Sequence, residues 1–345
     1  MKIIIFNRHF DWGEIWKLRK QIILSLINVR KILNLIINFS SYLLGLVKPK
    51  GLPVVLAMEL SSECNLSCPI CPRTLKESKP KPGSMSFENF KKIIDEVGDD
   101  ILFLCLWNYG EPLLNKDIYK MIDYAKRKSI IIVMTSNFLP ISETGIAQLA
   151  GSGLDYLIVS MDAATKATYE KNRVGGDFQR LLGNIRMLIE ERSQRKKTTP
   201  FIDLQFIIMK NNEDEIEKMV SLANSLNVDK ISFKKLYNIN QKLDAFLPQN
   251  KKYILNAKRG RKKLKNCARA WMSSVILHNG DVVPCCCDFY NKFIFGNAFS
   301  QGGFRNVWKG KKYTEFRRKI IEGRFLPGIC ENCPVNRSFD ARAFL

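Results

Sequence analysis

Residues 63–73 read Glu-Cys-Asn-Leu-Ser-Cys-Pro-Ile-Cys-Pro-Arg and decide most of the chemistry that this chain can have. They follow an apolar run, Val54 to Met58, that is typical of a β-strand. Within them Cys64, Cys68 and Cys71 have the spacing C-x-x-x-C-x-x-C. A 4Fe-4S cluster is normally held by four cysteines, and this loop has neither a fourth cysteine nor a histidine. We therefore expect a cluster whose fourth iron is open to a small molecule.

Two other interpretations of the three cysteines are weaker. Structural zinc also binds cysteine pairs, but its sites are closed by four ligands. A disulfide framework suits a short secreted chain, whereas this chain has 345 residues. Zinc, or thiols without a metal, are the alternatives to the cluster.

The three-cysteine loop, directly after a first strand, resembles that of the radical S-adenosylmethionine (SAM) enzymes. The resemblance extends over residues 53 to 335 and implies a catalytic role for Cys64, Cys68 and Cys71. In that family the reduced cluster gives one electron to SAM, which is cleaved to methionine and a 5′-deoxyadenosyl radical. The radical takes a hydrogen atom from an unreactive C–H bond of the substrate. The protein orients and shields this chemistry.

Length and composition indicate a globular protein. A chain of 345 residues with 46% hydrophobic content can form one large domain and a small one. Its ten cysteines fall in two groups, 64–71 and 267–333, with Cys105 alone between them. Clustered cysteines without a secretory signal point to the reducing cytosol, so we predict a cytoplasmic location. Cys105 lies in an apolar run and is interpreted as a buried strand residue.

The net charge of +22 permits attraction to phosphates, nucleic acid or an anionic membrane. Because the charge is spread along the chain, a solvated basic surface is the favoured interpretation. The exception is the acid-free, lysine- and arginine-rich stretch 251–265, which could line a site for an anionic group. No dedicated RNA-binding module is visible, so no specific nucleic-acid partner is predicted.

Residues 14–47 are mostly apolar with basic interruptions. Arg30 and Lys31 divide the apolar stretch, so no run reaches the roughly 20 residues that a bilayer span needs. Nor does the segment resemble a signal peptide. We predict an N-terminal helical extension over 1–50 that is amphipathic. It would pack on the main domain or on a partner, or lie peripherally on the inner membrane surface.

From Pro53 to about Lys235 the sequence alternates between strands and helices. Six such strands imply parallel crossover units of an α/β protein. The pattern alone leaves open a doubly wound sheet or part of a (β/α) barrel. The resemblance implies a partial, TIM-like (β/α)6 barrel over 51–240. The predicted strands are Val54–Leu60, Ile101–Trp107, Ile130–Thr135, Leu154–Ser160, Phe201–Met209 and Lys230–Lys234.

After about residue 240 the alternation stops. A hairpin is predicted over Val275 to Val283, with Asn279-Gly280 at its turn. Cys267, Cys285, Cys330 and Cys333 have the spacing C-x17-C-x44-C-x-x-C. This is similar to the Twitch and SPASM modules of many radical SAM enzymes, which hold auxiliary 4Fe-4S clusters. We therefore expect a small α+β domain over 241–345 with one auxiliary cluster on four cysteines. Zinc is the rival, since four cysteines also form zinc ribbons.

Cys286 and Cys287 extend Cys285 into a triplet. Adjacent residues of a strand point to opposite faces, so Cys286 is expected to turn away from the metal. Cys285 is assigned as the ligand because it completes the Gly280-x4-Cys pattern of the family. Cys287 is a possible substitute.

The resemblance also implies a SAM pocket at the ends of the strands. Gly110 and Glu111 lie in a segment similar to the Gly-Gly-Glu-Pro motif, which takes the SAM amino group; Tyr109 replaces its first glycine. The motif needs close backbone approach and an acceptor for an ammonium. Positions after the third and fourth strands match contacts to the ribose and carboxylate of SAM. Arg173 is a candidate partner of that carboxylate, and Ile70 a candidate contact to adenine. The complete predicted set is Ile70, Asn108, Tyr109, Gly110, Glu111, Pro112, Ser136, Asn137, Ser160, Asp162 and Arg173.

The predicted function is a radical SAM enzyme of the oxidoreductase type. Its auxiliary cluster would assist a net oxidation or a bond-forming modification of a small molecule. A peptide-modifying maturase of the SPASM type is the alternative within enzymology. A non-catalytic iron–sulfur or zinc-binding protein is the alternative from another class, and the open three-cysteine site argues against it. The expected partners are the substrate and an electron donor such as flavodoxin or ferredoxin.

Overall fold

The computed structural model describes residues 2–5, 28–75, 81–238, 242–254, 267–288, 290–324, 330 and 333. Ten strands form one sheet, and the helices of the barrel pack on its outer side. The strands are β1 (Lys2–Ile5), β2 (Val55–Met58), β3 (Phe103–Leu106), β4 (Ile131–Ser136), β5 (Tyr156–Ser160), β6 (Phe201–Ile208), β7 (Lys230–Lys235), β8 (Ser273–Ile276), β9 (Asp281–Val283) and β10 (Gly296–Asn297).

Eleven α-helices lie in the described residues. They are α1 (Val29–Leu43), α2 (Pro72–Leu75), α3 (Phe87–Val97), α4 (Ile118–Lys126), α5 (Glu143–Gly151), α6 (Lys166–Asn172), α7 (Phe178–Gln194), α8 (Ile216–Ser225), α9 (Arg269–Met272), α10 (Gly303–Lys309) and α11 (Lys311–Ile321).

Capping residues determine where four of the barrel helices begin. The side chains of Ser86, Ser142, Thr165 and Asp177 accept hydrogen bonds from backbone N–H groups in the first turns of α3, α5, α6 and α7. Such caps satisfy donors that have no partner inside the helix. The apolar residues of α3 recur at helical spacing and are buried in the core: Phe90, Ile93, Ile94 and Val97. Local sequence and packing therefore agree in this region.

The predicted six-stranded partial barrel is confirmed. Strands β2 to β7 pair in parallel in sequence order, each with its neighbour along the chain. Their register places Ala57, Cys105, Val133, Tyr156 and Phe201 side by side across five strands. Because all carboxyl ends of parallel strands lie at one edge, loops that follow the strands gather there.

Four further strands extend this barrel at its two edges, one from the start of the chain and three from the C-terminal part. β1 pairs in parallel with β7, and β8 pairs in parallel with β2. β8 and β9 form the predicted hairpin, in which Val275 pairs with Val283 and Gly280 has φ of 88°. The C-terminal part thus continues the sheet of the barrel, with β10 at its far edge. The proposed limits 1–50, 51–240 and 241–345 stay a prediction.

Helix α1 packs on the barrel with its polar face. Lys31, Asn34, Asn38 and Ser41 are buried, whereas large apolar side chains of the same helix are exposed. Asn34 donates to the carbonyl oxygens of Leu52 and Asp100 and accepts from the Leu52 N–H. The helix therefore lies at the amino ends of β2 and β3, opposite the loops that follow the strands.

Lys31 shows how firmly this polar face is held. Its Nζ donates to the carbonyl oxygens of Lys128 and Ser129 over 2.7 and 2.9 Å. Burial lowers the pKa of Lys31 to about 8. Arg30 adds two hydrogen bonds to Asp100. Of the helices in the described ranges, none has the length and apolar character needed to cross a bilayer.

Candidate metal centres and cofactor pocket

The three-cysteine loop lies at the carboxyl end of β2, where the barrel gathers its other loops. Cys64, Cys68 and Cys71 all carry free thiols. The Cys71 N–H donates to the Cys68 carbonyl. The Cys71 carbonyl in turn accepts from the N–H groups of Thr74 and Leu75 in α2. Arg73 Nε donates to the Ser62 carbonyl and ties the end of the loop back to its beginning. The loop is therefore shaped by its own backbone.

Hydrogen-bond donors point at two of the sulfur atoms. Cys64 Sγ accepts from the Leu66 N–H at 3.4 Å and from Asn137 Nδ2 at 3.7 Å. Cys68 Sγ accepts from Arg173 Nη1 at 3.8 Å. Burial nevertheless raises the pKa of Cys64 to about 11 and also raises that of Cys68. The surrounding donors suit the charge of thiolate ligands to a metal.

Gly110 lies close to the backbone of the segment that leads into the cysteine loop. A Cβ atom at this position would lie 1.7 Å from the Ser61 carbonyl oxygen, so no other residue fits without a backbone shift. The neighbouring Glu111 N–H donates to the Glu63 carbonyl at 2.7 Å. The loop that follows β3 and the cysteine loop that follows β2 are thus in direct contact.

Glu111 brings the predicted pocket residues together. Its carboxylate accepts from Ser136 Oγ at 2.7 Å, from the Asn137 N–H at 2.8 Å and from the Leu113 N–H at 3.1 Å. Burial raises the pKa of Glu111 to about 7 against these hydrogen bonds. A buried carboxylate of this kind is stabilised by an incoming ammonium group. The residues present therefore fit the amino group of SAM.

Asp162 and Arg173 form a buried ion pair at the carboxyl end of β5. Asp162 has φ of 57°, and its Oδ1 accepts from the Ile207 N–H at 2.7 Å. Arg173 also reaches Cys68. The structure therefore places the candidate partner of the SAM carboxylate beside the cysteine loop, with part of its charge already paired.

The remaining predicted positions lie around this centre. Ser160 is buried at the end of β5, and Pro112 is buried at the first position of a short 3₁₀ helix. Ile70 packs on a small apolar cluster that includes Met209 and Leu236 after β6 and β7. The contact of Ile70 with the adenine of SAM stays a prediction.

A buried glutamate that the sequence analysis did not single out connects the barrel to the C-terminal part. Glu59 accepts from Asn108 Nδ2 at 3.2 Å and from the Tyr109 N–H at 3.3 Å, and it bonds His278 Nδ1 at 3.0 Å. Tyr109 OH donates to the Asp288 carbonyl at 3.1 Å. Tyr109, the departure from the family motif, is thus a link between the two cysteine groups.

The second group of cysteines converges near the end of β9. Electrostatic interactions join Cys267 to Cys285 and Cys333, and burial raises the pKa of Cys267 to about 11. Cys287 interacts with Cys285, Cys286 and Cys333, and these hydrogen bonds raise its pKa far above the ordinary value. Cys330 is partly buried at the same end of the chain. The structure thus brings Cys287 into the group with three of the predicted ligands, Cys267, Cys285 and Cys333.

Cys286 has a different environment. Its Sγ accepts from Arg269 Nη1 at 3.0 Å, and hydrogen bonds from Cys287 and Arg269 lower its pKa. It lines a cavity of about 20 Å³ together with Cys105 and Trp107 of the barrel. Cys285 lines the same cavity, and Cys286 and Cys287 are hydrogen-bonded to each other in a turn after β9. The expected alternation of the triplet along a strand is therefore wrong, because the strand ends at Val283.

Both groups offer the soft thiolate donors that iron–sulfur clusters need. Among the residues that the structure describes, no three cysteine, histidine or acidic side chains converge as the ligands of a single ion do. A four-iron cluster distributes its thiolate ligands over different irons, so the donor sets fit this cofactor.

Comparison with known proteins places this geometry in a class. The profile of the radical SAM superfamily matches residues 58–223, and that of the iron–sulfur cluster-binding domain called SPASM matches residues 267–334. The chain belongs to the radical SAM superfamily and carries a SPASM domain. It is therefore a radical SAM enzyme, whose cofactors are SAM, a 4Fe-4S cluster and auxiliary iron–sulfur chemistry in the SPASM domain.

Individual relatives show the range of this class. The mycofactocin maturase MftC of Mycolicibacterium smegmatis is 25% identical over 307 residues, which cover 81% of this chain and 75% of that protein. The S-adenosyl-L-methionine-dependent 2-deoxy-scyllo-inosamine dehydrogenase of Niallia circulans is 22% identical over 286 residues. These residues cover 81% of this chain and 92% of that protein. The structure of Streptococcus suis SuiB bound to precursor peptide SuiA has a TM-score of 0.59 at 15% sequence identity. The match covers 81% of this chain and 71% of that chain. This last likeness shows the fold.

Proposed function

We propose that Cys64, Cys68 and Cys71 hold the SAM-cleaving 4Fe-4S cluster and leave its fourth iron open to SAM. When bound, this cluster supplies the electron that cleaves SAM to methionine and the 5′-deoxyadenosyl radical that attacks the substrate. The observation that carries the proposal is the contact of the cysteine loop with Gly110 and Glu111 at the carboxyl ends of the strands. Reconstituted protein with a strong reductant is expected to form 5′-deoxyadenosine from SAM under anaerobic conditions.

The chain's own residues then position SAM. Glu111 accepts its ammonium group, and Asn108, Tyr109, Gly110 and Pro112 shape the backbone around it. Ser136, Asn137, Ser160 and Asp162 surround the ribose and carboxylate, and Arg173 balances negative charge beside Cys68. Ile70 covers the adenine side. Together these groups hold the cleaved bond of SAM near the lumen of the barrel and exclude water.

A pH dependence of SAM affinity is expected from Glu111. Its pKa is raised to about 7 by burial, and the SAM ammonium favours its ionised form. Below pH 7 the carboxyl group must lose a proton on binding, so SAM affinity should rise about tenfold per pH unit up to pH 7 and then level off. Equilibrium dialysis of SAM between pH 5.5 and 7.5 measures this rise. Glu111→Gln should remove it, whereas Glu143→Gln, an exposed change on α5, should keep it. A wild-type affinity that is constant over this range contradicts the role of Glu111.

We further propose that Cys267, Cys285, Cys330 and Cys333 hold one auxiliary 4Fe-4S cluster, with Cys287 as a possible substitute. Such a cluster beside the barrel would accept the electron left on a substrate radical. This favours a net oxidation or bond-forming modification of a small molecule, an oxidoreductase reaction like that named for the Niallia dehydrogenase. Peptide modification is the second candidate, because the mycobacterial relative is a maturase. The basic surface, with a net charge of +22, suits an acidic electron donor such as flavodoxin or ferredoxin.

The exposed face of α1 supports a peripheral membrane contact. Seven of the ten large apolar residues that are exposed in the described part of the chain lie within residues 29–46. The polar face of α1 is buried on the barrel, and Lys48 and Lys50 follow beside the apolar face. An apolar helix face next to lysines is typical of a helix that lies on an anionic membrane. We propose that this face docks on the inner membrane surface.

Vesicle sedimentation tests the membrane contact. We expect the wild-type protein to sediment with vesicles of mixed phosphatidylglycerol and phosphatidylcholine, and less so as salt rises. A triple change, Ile36→Gln, Leu43→Gln and Leu44→Gln, removes apolar surface that the barrel does not bury, so binding should fall at least about tenfold at unchanged thermal stability. Ile294→Gln, an exposed apolar residue outside α1, is the matched control. Equal sedimentation of the triple variant and the wild type would exclude this face as the docking surface.

A further inference from the structure

The register of the sheet defines which side chains face the lumen of the barrel. Val133, Tyr156 and Phe201 lie side by side on the inner face, and they form an apolar cluster apart from the main core. These side chains are buried. Farther toward the carboxyl ends, Thr135 and Ile207 keep partial exposure. The lumen is therefore filled at its lower level and open at the level of the SAM pocket.

A polar network at the lower level uses the charge of Lys230. Asp203 Oδ2 accepts from Tyr156 OH at 2.9 Å and from Ser232 Oγ at 2.8 Å, and it lies 3.3 Å from Lys230 Nζ. Asp203 Oδ1 is buried and has no hydrogen-bond partner in the described structure. In the lower lumen, Lys230 is thus paired with Asp203, and Asp203 Oδ1 is an acceptor without a donor among the described residues.

Lys234 lies one level higher on the same strand. Residues 230, 232 and 234 of β7 alternate onto one face, and Lys234 pairs in register with Ile207 of β6. Its side chain is only partly exposed. Within the described residues Lys234 forms neither an ion pair nor a hydrogen bond. The charged groups around it are Asp203, Lys230, Asp162 and Cys286, and burial lowers its pKa to about 8.

We propose that Lys234 binds a carboxylate of the substrate at the mouth of the lumen. This rests on the proposed radical SAM function, because it places the substrate between the SAM pocket and the auxiliary cysteines. A desolvated amine without a partner is costly in the substrate-free protein, and an anion that enters the lumen removes this cost. It would hold the rest of the substrate against the apolar cluster below and the pocket above.

The number of charges favours a carboxylate over a phosphate. Phosphate sites usually combine several donors, such as arginine forks or helix N-termini. Of the two lysines that β7 turns into the lumen, Lys230 is already paired with Asp203. Arg173, the guanidinium near the mouth, is paired with Asp162. A single ammonium matches one negative charge, as in a small carboxylic acid or in an acidic or terminal carboxylate of a peptide.

Competitive acetylation tests the site in the reconstituted holoenzyme with SAM bound. An amine of lowered pKa reacts at pH 8, and an ion pair with a carboxylate should raise its pKa and slow the reaction. We expect butyrate to slow acetylation of Lys234 saturably, by about fivefold at pH 8 for a pKa rise of one unit. Butyramide and chloride at equal ionic strength should have no such effect. Lys218, exposed on α8, is the internal control in the same digest, read by mass spectrometry.

Peptide probes separate the two sources of the carboxylate. Acetyl-dialanine with a free terminus protects Lys234 more strongly than butyrate if a peptide is the substrate, and less strongly if a small acid is. Its amide should not protect in either case. Equal acetylation of Lys234 with and without every carboxylate, or equal protection of Lys218, overturns the proposal.

Variants distinguish substrate binding from SAM binding. Lys234→Met and Lys234→Arg should keep the dissociation constant of SAM and the iron content of the wild type. In Lys234→Met, a tenfold loss of SAM affinity would assign the lysine to SAM and overturn the proposal. Failure of the wild type to cleave SAM would instead contradict the proposed function, and it is measured separately as 5′-deoxyadenosine. The two failures are therefore distinguishable.

Discussion

Replacement of Cys68 by alanine is expected to abolish the reductive cleavage of SAM. Cys68 is buried, and its sulfur accepts from Arg173 in the loop that faces Glu111. With two thiolates left, the loop cannot hold a four-iron cluster in the geometry that opens one iron to SAM. Formation of 5′-deoxyadenosine under anaerobic conditions with a strong reductant should fall at least about a thousandfold, which corresponds to about 4 kcal/mol of barrier. Liquid chromatography of the quenched reaction measures it.

Cys105→Ala is the matched control for this change. Cys105 is also a buried free cysteine, but it lies in the middle of β3, away from the loops that follow the strands. Its replacement removes a small side chain and should leave SAM cleavage within about threefold of the wild type, since small volume changes in a core mainly affect stability. Cleavage by Cys68→Ala at the wild-type rate would remove the central claim about the loop.

The iron content of a triple variant is expected to fall to half. Two four-iron clusters give about eight irons per chain, and a protein with Cys64, Cys68 and Cys71 all replaced by alanine should keep about four. These are the irons of the auxiliary site, which shares no cysteine with the loop. Iron and sulfide analysis of the reconstituted protein measures the count. Retention of one zinc and no iron would make the C-terminal site structural.

Alanine variants at Cys285, Cys286 and Cys287 test which thiols of the triplet are cluster ligands. Cys285→Ala should lose about four irons. Cys286→Ala should retain about eight, because Cys286 faces Arg269 and the cavity that it shares with Cys105 and Trp107. Cys287→Ala decides whether the thiol that contacts Cys285 and Cys333 is a ligand. Full iron content in Cys285→Ala together with loss in Cys287→Ala would move the assignment by two residues along the chain, within the turn that follows β9.

Glu59 joins segments that are far apart in sequence at the carboxyl end of β2. Glu59 holds the loop after β3 through Asn108 and Tyr109, and it holds His278 after β8. Both strands flank β2, so their ends meet at its carboxyl end.

Local patterns in the sequence were sufficient for the six barrel strands and for the hairpin turn at Gly280. Each of these depends on neighbours within a few residues, so periodicity and turn chemistry predict them. The family motif singled out Gly110 and Glu111 for the SAM pocket, but their contact with the segment around the cysteine loop was not predicted.

Tertiary structure alone decided the rest, since it depends on which distant segments meet. The parallel pairing of β8 with β2 joins residues more than two hundred positions apart, and no local pattern encodes that pairing. Helix α1 has the amphipathic period that was predicted, yet its polar face is buried, because Lys31 and Asn34 find backbone carbonyls on the barrel. Lys234 looks like any strand lysine until the register turns it into the lumen beside Asp203. The sequence thus determined the elements and the metal-binding chemistry, whereas long-range packing, which sets burial and the partners of each charge, decided the surfaces that face substrate and membrane.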